Sequence, residues 1–211
     1  MSRHAFKRRQ SGFTLIEIAI VLVIIGLLLG GILKGQELIN SARVKNLASD
    51  FRNVPVFIYG YQDKFRSLPG DDSAATTHLA NTASNGGGNG VIDGDWDATT
   101  GNVESRFFWQ HVRMAGLAPG PTNLTAGDFV QRNASGGILG IQSTVPFTGM
   151  TGTYYVCSGG ILGRYAKQLD TQLDNGDTAT GSLMVGETTG GNPEPTTTVV
   201  DGDDYVVCMS I

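Results

Sequence analysis

From Phe13 to Leu33 the chain is apolar or glycine at every position except Thr14 and Glu17. At a helical rise of about 1.5 Å per residue, such a run reaches roughly 30 Å, the depth of a bilayer core. The polar stretch that follows, KGQELINSARVKNLASDFRN, changes character without a break. Leu38, Ala42, Lys45, Ala48 and Phe51 recur at three- and four-residue spacing, and Arg43, Asp50 and Arg52 supply polar faces. No proline intervenes before Pro55. The pattern predicts one helix from about Phe13 to Val54, apolar all round in its first half and amphipathic in its second. Pro55 is expected to break or kink it. The segment VFIYGYQDKF then forms its last turns, ahead of a Pro69-Gly70 turn in LPGDD.

Downstream the pattern shortens. ESRFFWQHVRMAGL at 104–117 reads as a helix with Phe107, Phe108, Val112 and Ala115 on one broad face and Gly116 at its end. Trp109 is expected in the core and His111 at a partly exposed helix position. Strands are predicted near 138–143 and 152–158, in GSLMVGE, and in the terminal DDYVVCMSI. A short helix over 162–173 ends at Asp174-Asn175-Gly176. An amphipathic helix must bury its apolar stripe, and a sheet is the available partner. The expected class is therefore α+β, a long N-terminal helix packed on an antiparallel sheet of about four strands with loop insertions.

Composition sharpens this outline. Charged residues make up only 16% of the chain, and 30 of its 211 residues are glycine. The glycines gather after residue 85 among Thr, Asn and Asp, as loops require. Formal net charge is -4, but residues 1–12 hold Arg3, Lys7, Arg8 and Arg9 and no acid. Without them, 11 basic residues face 19 acidic ones. That balance lacks the basic footprint of nucleic-acid binding, so no nucleic-acid partner is expected. The basic cluster before the apolar run places the N-terminus in the cytoplasm and the rest outside, by the positive-inside rule.

Three sets of residues are candidates for chemistry. Cys157 and Cys208 are the only cysteines, and an even count in an exported chain allows either one disulfide or two buried thiols. In NGGGNGVIDGDWD, at 85–97, Asn85, Asn89, Gly90, Ile92 and Asp93 fall on the first, fifth, sixth, eighth and ninth positions of a calcium loop. Gly87 and Trp96 stand where two further ligands belong, with Asp95, Asp97 or Glu104 as substitutes. Asn85, Asn89, Asp93 and Asp95 are thus candidate Ca2+ ligands, against the alternative of a water-solvated Gly/Asn turn. Asp170, Asp174 and Asp177 form a second acidic set, read either as cation ligands or as a solvated turn. No phosphate-cradling loop, zinc spacing or nucleophile elbow is present, so no catalytic residues and no enzymatic activity are expected.

Arg8, Arg9, Gly12, Phe13, Thr14, Leu15 and Glu17, running directly into the apolar helix, resemble the N-terminal cleavage and methylation motif of type IV prepilins and type II secretion pseudopilins. The resemblance is specific over residues 7–54. It implies that a prepilin peptidase cuts between Gly12 and Phe13 and methylates the new Phe13 amine. It further implies that Glu17 pairs with the Phe13 amine of a neighbouring subunit as helices bundle. Three segments follow: a cleaved leader at 1–12, a transmembrane and assembly helix at 13–54, and an exported pilin-like head at 55–211. The implied partners are prepilin peptidase, other pilin or pseudopilin subunits and the inner-membrane assembly platform. The implied location is the inner membrane before assembly and a pilus or pseudopilus after it. Gly30 and Gly31 occupy the neighbourhood where many such helices carry a proline, which favours a minor pilin or pseudopilin over a major pilin. An exported adhesin on a pilin anchor is the other reading. A terminal strand tied by a disulfide to an earlier one resembles the C-terminal disulfide loop of many pilins.

Overall fold

The computed structural model describes residues 12–187 and 194–211. The chain divides into two compact units, Met1–Ser41 and Ala42–Ile211. Helix α1 (Leu15–Phe65) runs through residues of both.

In the first unit, the described side chains from Gly12 to Lys34 are all exposed, including Phe13, Leu15 and the isoleucines and leucines that follow. Among the described residues α1 is the one helix long and apolar enough to cross a membrane. Among the described residues these apolar side chains are exposed, an arrangement that suits contact with lipid.

In the second unit α1 becomes a core helix. Val44, Leu47, Ala48, Phe51, Val54, Ile58 and Tyr61 are buried, at the three- and four-residue steps of one helical face. The helix does not end at Val54. It passes through Pro55 to Phe65 and stops at Arg66, which takes a positive φ of 57°. A proline removes one helical N–H. Here buried Phe51 and Val54 on one side and Ile58 and Tyr61 on the other hold the helix across that gap.

Four strands form one antiparallel sheet in the order β1-β2-β4-β3: β1 (Leu139–Gln142), β2 (Tyr155–Leu162), β3 (Leu183–Glu187) and β4 (Asp204–Ser210). Alternation sorts their side chains between two faces. Leu139, Ile141, Val156, Leu183, Val185, Tyr205 and Val207 share a core with the α1 stripe. Tyr155, Cys157, Met184, Val206 and Cys208 face the other way, under Phe147, Met150 and Trp96. This is the expected α+β architecture. Short helix α2 (Ala75–His78), helix α3 (Glu104–Met114) and helix α4 (Gly163–Leu173) complete the unit.

α3 departs from the expected amphipathic helix. Every residue from Glu104 to Arg113 is buried, polar ones included. Trp109 lies in the core as expected, edge-on to Phe108 at 5.2 Å between ring centroids. His111 is fully buried rather than partly exposed. Its Nδ1 accepts from the Gly70 N–H at 2.9 Å, so Nε2 carries the proton and donates to the Ser84 carbonyl at 2.7 Å. Burial lowers its pKa, with the Ser84 bond and the Asp72 charge opposing, and this favours the neutral ring.

Candidate processing and assembly site

The segment around Gly12 is built by the start of α1. Gly12 and Phe13 lie before the first helical residue, and Phe13 is 85% exposed. Gly12 places no side chain beside the peptide bond that joins it to Phe13.

Glu17 is not left bare at the helix start. Its Oε2 accepts from the Thr14 N–H at 2.8 Å and the Thr14 hydroxyl at 2.7 Å, while the Glu17 N–H points to Thr14 Oγ1 at 3.3 Å. This is a reciprocal capping box, and an acid there also meets the positive end of the helix dipole. Thr14, a member of the motif in the sequence, has a further role as the capping partner of Glu17. The Thr-x-x-Glu spacing ahead of an apolar run is the signal that identifies it. The arrangement holds the Glu17 carboxylate near the chain start, within a few residues of the amine that cleavage after Gly12 would create.

The expected disulfide is present: Cys157 and Cys208 are bonded, 51 residues apart in sequence and opposite each other in the β2–β4 register. Both are fully buried. The bridge thus ties the terminal strand to the strand beside it.

Residues 85–97 are organised by two carboxylates outside the loop's first turn. Asp71 Oδ1 accepts from the N–H groups of Gly88 at 2.5 Å and Asn89 at 3.1 Å, and its Oδ2 from that of Gly90 at 2.7 Å. Glu104 accepts from the N–H groups of Gly87 at 2.6 Å and Asp93 at 2.9 Å. The loop interior therefore presents donors to acids, a nest for anions supplied by the chain itself. Asn85 accepts from the Thr76 N–H and Asn89 from the Val91 N–H, and Asp93 and Asp95 are exposed. Among the described residues no group of three or more His, Cys, Asp or Glu side chains stands ready to hold a metal ion. Asp71 escaped the sequence reading because it lies in the preceding turn, well away from the glycine run it organises.

Asp72, the next residue, accepts from the Tyr61 hydroxyl and from His78 Nδ1, both at 2.7 Å, and from the Ala74 N–H at 2.9 Å. Burial pushes its pKa up, but these bonds and the His78 charge together hold it below the usual carboxylate value. Neighbouring acids in one turn thus fasten different parts of the molecule: Asp71 the glycine loop, Asp72 the end of α1 and α2.

The model of the prokaryotic N-terminal methylation motif matches residues 7–33. The chain therefore carries the class III signal peptide of type IV prepilin-like proteins, the N-terminal signal of a pilin-like or pseudopilin precursor. The match ends inside the apolar half of α1 and does not reach the sheet. No curated protein matches the chain.

Proposed function

We propose that this chain is a minor pilin or pseudopilin, a structural and non-catalytic subunit of a type IV pilus or type II secretion pseudopilus. Prepilin peptidase removes residues 1–12 by cutting after Gly12 and methylates Phe13. The apolar half of α1 then serves twice, first as the single membrane anchor and later as the staff that bundles with other subunits on an inner-membrane platform. The N-terminus faces the cytoplasm and the head, residues 55–211, lies outside.

The observation that carries this reading is the methylation motif at residues 7–33, whose apolar run from Phe13 to Leu33 leads into and makes up the first part of α1 with every side chain exposed. A signal that is cut before its apolar run keeps that run, and a kept apolar helix needs either lipid or copies of itself as neighbours. Glu17 supplies the register. In a helix bundle, an ionised carboxylate is tolerated where an opposite charge neutralises it, and a methylated Phe13 amine on the adjacent subunit is such a charge. The capping box with Thr14 satisfies the carboxylate until that partner arrives.

Mass spectrometry of the protein isolated from its native host tests the proposal. The expected N-terminal peptide begins at Phe13 and carries one methyl group. A mature chain that still begins at Met1 would overturn it.

A further inference from the structure

Asparagine precedes glycine at three places, Asn85-Gly86, Asn89-Gly90 and Asn175-Gly176. Such pairs share a chemical weakness. A glycine carries no Cβ, so its backbone nitrogen can reach the side-chain carbonyl carbon of the asparagine before it. Attack requires that nitrogen to lose its proton and turn toward Cγ. A nitrogen whose N–H is held by a strong acceptor is kept from both.

The three pairs differ on that criterion. The Gly86 N–H donates to the Asp72 carbonyl at 2.9 Å, and Asn85 Oδ1 is engaged by the Thr76 N–H at 2.9 Å. Asn89 and Asn175 have matching side-chain arrangements. Each forms an Asx turn, its Oδ1 accepting from the N–H two residues on: Val91 at 2.9 Å and Asp177 at 2.7 Å. That donor stands where negative charge develops on oxygen during attack. The glycines that follow are both exposed, with φ of 85° at Gly90 and 87° at Gly176. Only the attacking groups are unlike. The Gly90 N–H donates to Asp71 Oδ2 at 2.7 Å. The Gly176 N–H lies toward the Asp170 carboxyl, but neither Asp170 oxygen accepts a hydrogen bond among the described residues.

We propose that Asn175 is a site of spontaneous deamidation, and that Asp71 protects Asn89 from the same reaction. The Gly176 nitrogen attacks Asn175 Cγ. The N–Cγ bond forms, the Cγ–Nδ2 bond breaks, and ammonia leaves with the proton given up by the glycine nitrogen. Water then opens the succinimide, at Cγ to give aspartate or at the main-chain carbonyl to give isoaspartate. Either product places a new carboxylate between Asp174 and Asp177 and removes the Nδ2 donor that faces Thr180. This chemistry does not depend on the assembly role proposed for α1.

The test is incubation of the full-length chain in detergent at about pH 8.5, followed by peptide mapping that resolves aspartate from isoaspartate at each site. Breaking a hydrogen bond to a charged acceptor slows a step by roughly 10- to 100-fold, so Asn175 should convert at least about ten times faster than Asn89. Asn85 should lag as well. In urea the three rates should converge, since every pair has the same attacking glycine. In Asp71→Asn, whose single amide oxygen cannot serve all three donors, the Asn89 rate should rise about tenfold while Asn85 and Asn175 keep theirs. Those two sites are the folding control. A variant that unfolds accelerates Asn85 too, and the comparison of native with urea-unfolded wild type then decides alone. Equal native rates at Asn89 and Asn175, or a ranking that survives in urea, would overturn the proposal. So would an Asn89 rate left unchanged in folded Asp71→Asn.

Discussion

Replacing Asp71 with alanine should loosen the head more than any other single change in its glycine loop. The side chain is 3% exposed and collects three backbone N–H groups, from Gly88, Asn89 and Gly90. Hydrogen bonds to a charged acceptor each contribute about 1.5–3 kcal/mol, which would give a loss near 6 kcal/mol if nothing compensated. Two features reduce that figure. Gly88 N–H also points to the Asp71 carbonyl at 2.9 Å, so it keeps a partner. Asn89 and Gly90 are exposed residues, and their freed N–H groups can turn to water. The net expectation is about 2–4 kcal/mol. Asp71→Asn should cost somewhat less, because its amide oxygen can serve Gly88 and Asn89 while its NH2 confronts the Gly90 donor.

Both tryptophans, Trp96 and Trp109, lie in the second unit, so fluorescence during guanidinium unfolding of the detergent-solubilised chain reports on that unit alone. Trp96, near the end of that loop, is held through its backbone N–H by Gln142 Oε1 at 2.8 Å. Limited proteolysis supplies a local readout, with cleavage expected between 85 and 95 in the variant. A loss below 1 kcal/mol together with an uncut loop would refute the reasoning. It would mean that the remaining backbone bonds, such as Gly86 N–H to the Asp72 carbonyl at 2.9 Å, and the Glu104 contacts suffice.

Removing the disulfide by Cys157→Ala with Cys208→Ala should lower stability by about 4 kcal/mol, the chain-entropy figure for a closed loop of 51 residues. Guanidinium unfolding measures it, and a loss under 1 kcal/mol would show that β2–β4 pairing alone fixes the terminal strand. The Asp72 cluster predicts acid sensitivity. A carboxylate whose folded pKa is depressed contributes stability that is present above its unfolded pKa, near 3.8, and is lost as pH falls through the lower folded value. Melting temperature should therefore drop below about pH 4 in the wild type, and Asp72→Asn should lower it at neutral pH while flattening that acid limb. An unchanged acid limb in Asp72→Asn would assign the effect to other carboxylates.

What the sequence revealed, and what it hid, follows from how far apart the interacting groups lie along the chain. The apolar run, the amphipathic continuation and the strand alternation are local patterns, and each reappears as α1 or as a strand within a few residues of its expected place. The last turns expected beyond Pro55 are present, to Phe65, but the break that the local rule allows at Pro55 does not occur, because Phe51, Val54, Ile58 and Tyr61 are buried on both sides of it in a core shared with a sheet formed far downstream. His111 was misjudged for the same reason. Nothing beside it in sequence announces that Gly70 and Ser84 will converge on its two nitrogens. The 85–97 loop shows the converse. Its residue types supply candidate oxygens for a cation, and its glycines also expose backbone N–H groups. Which of the two faces inward was decided by Asp71 and Glu104. A Cβ at Gly86 would run into the Gly70 carbonyl and the Asp71 backbone, so the loop can approach its acid only because that position is bare. The glycines thus serve contact with a carboxylate as much as flexibility, and a glycine-rich run in such a head is best read together with the nearest buried acid outside it.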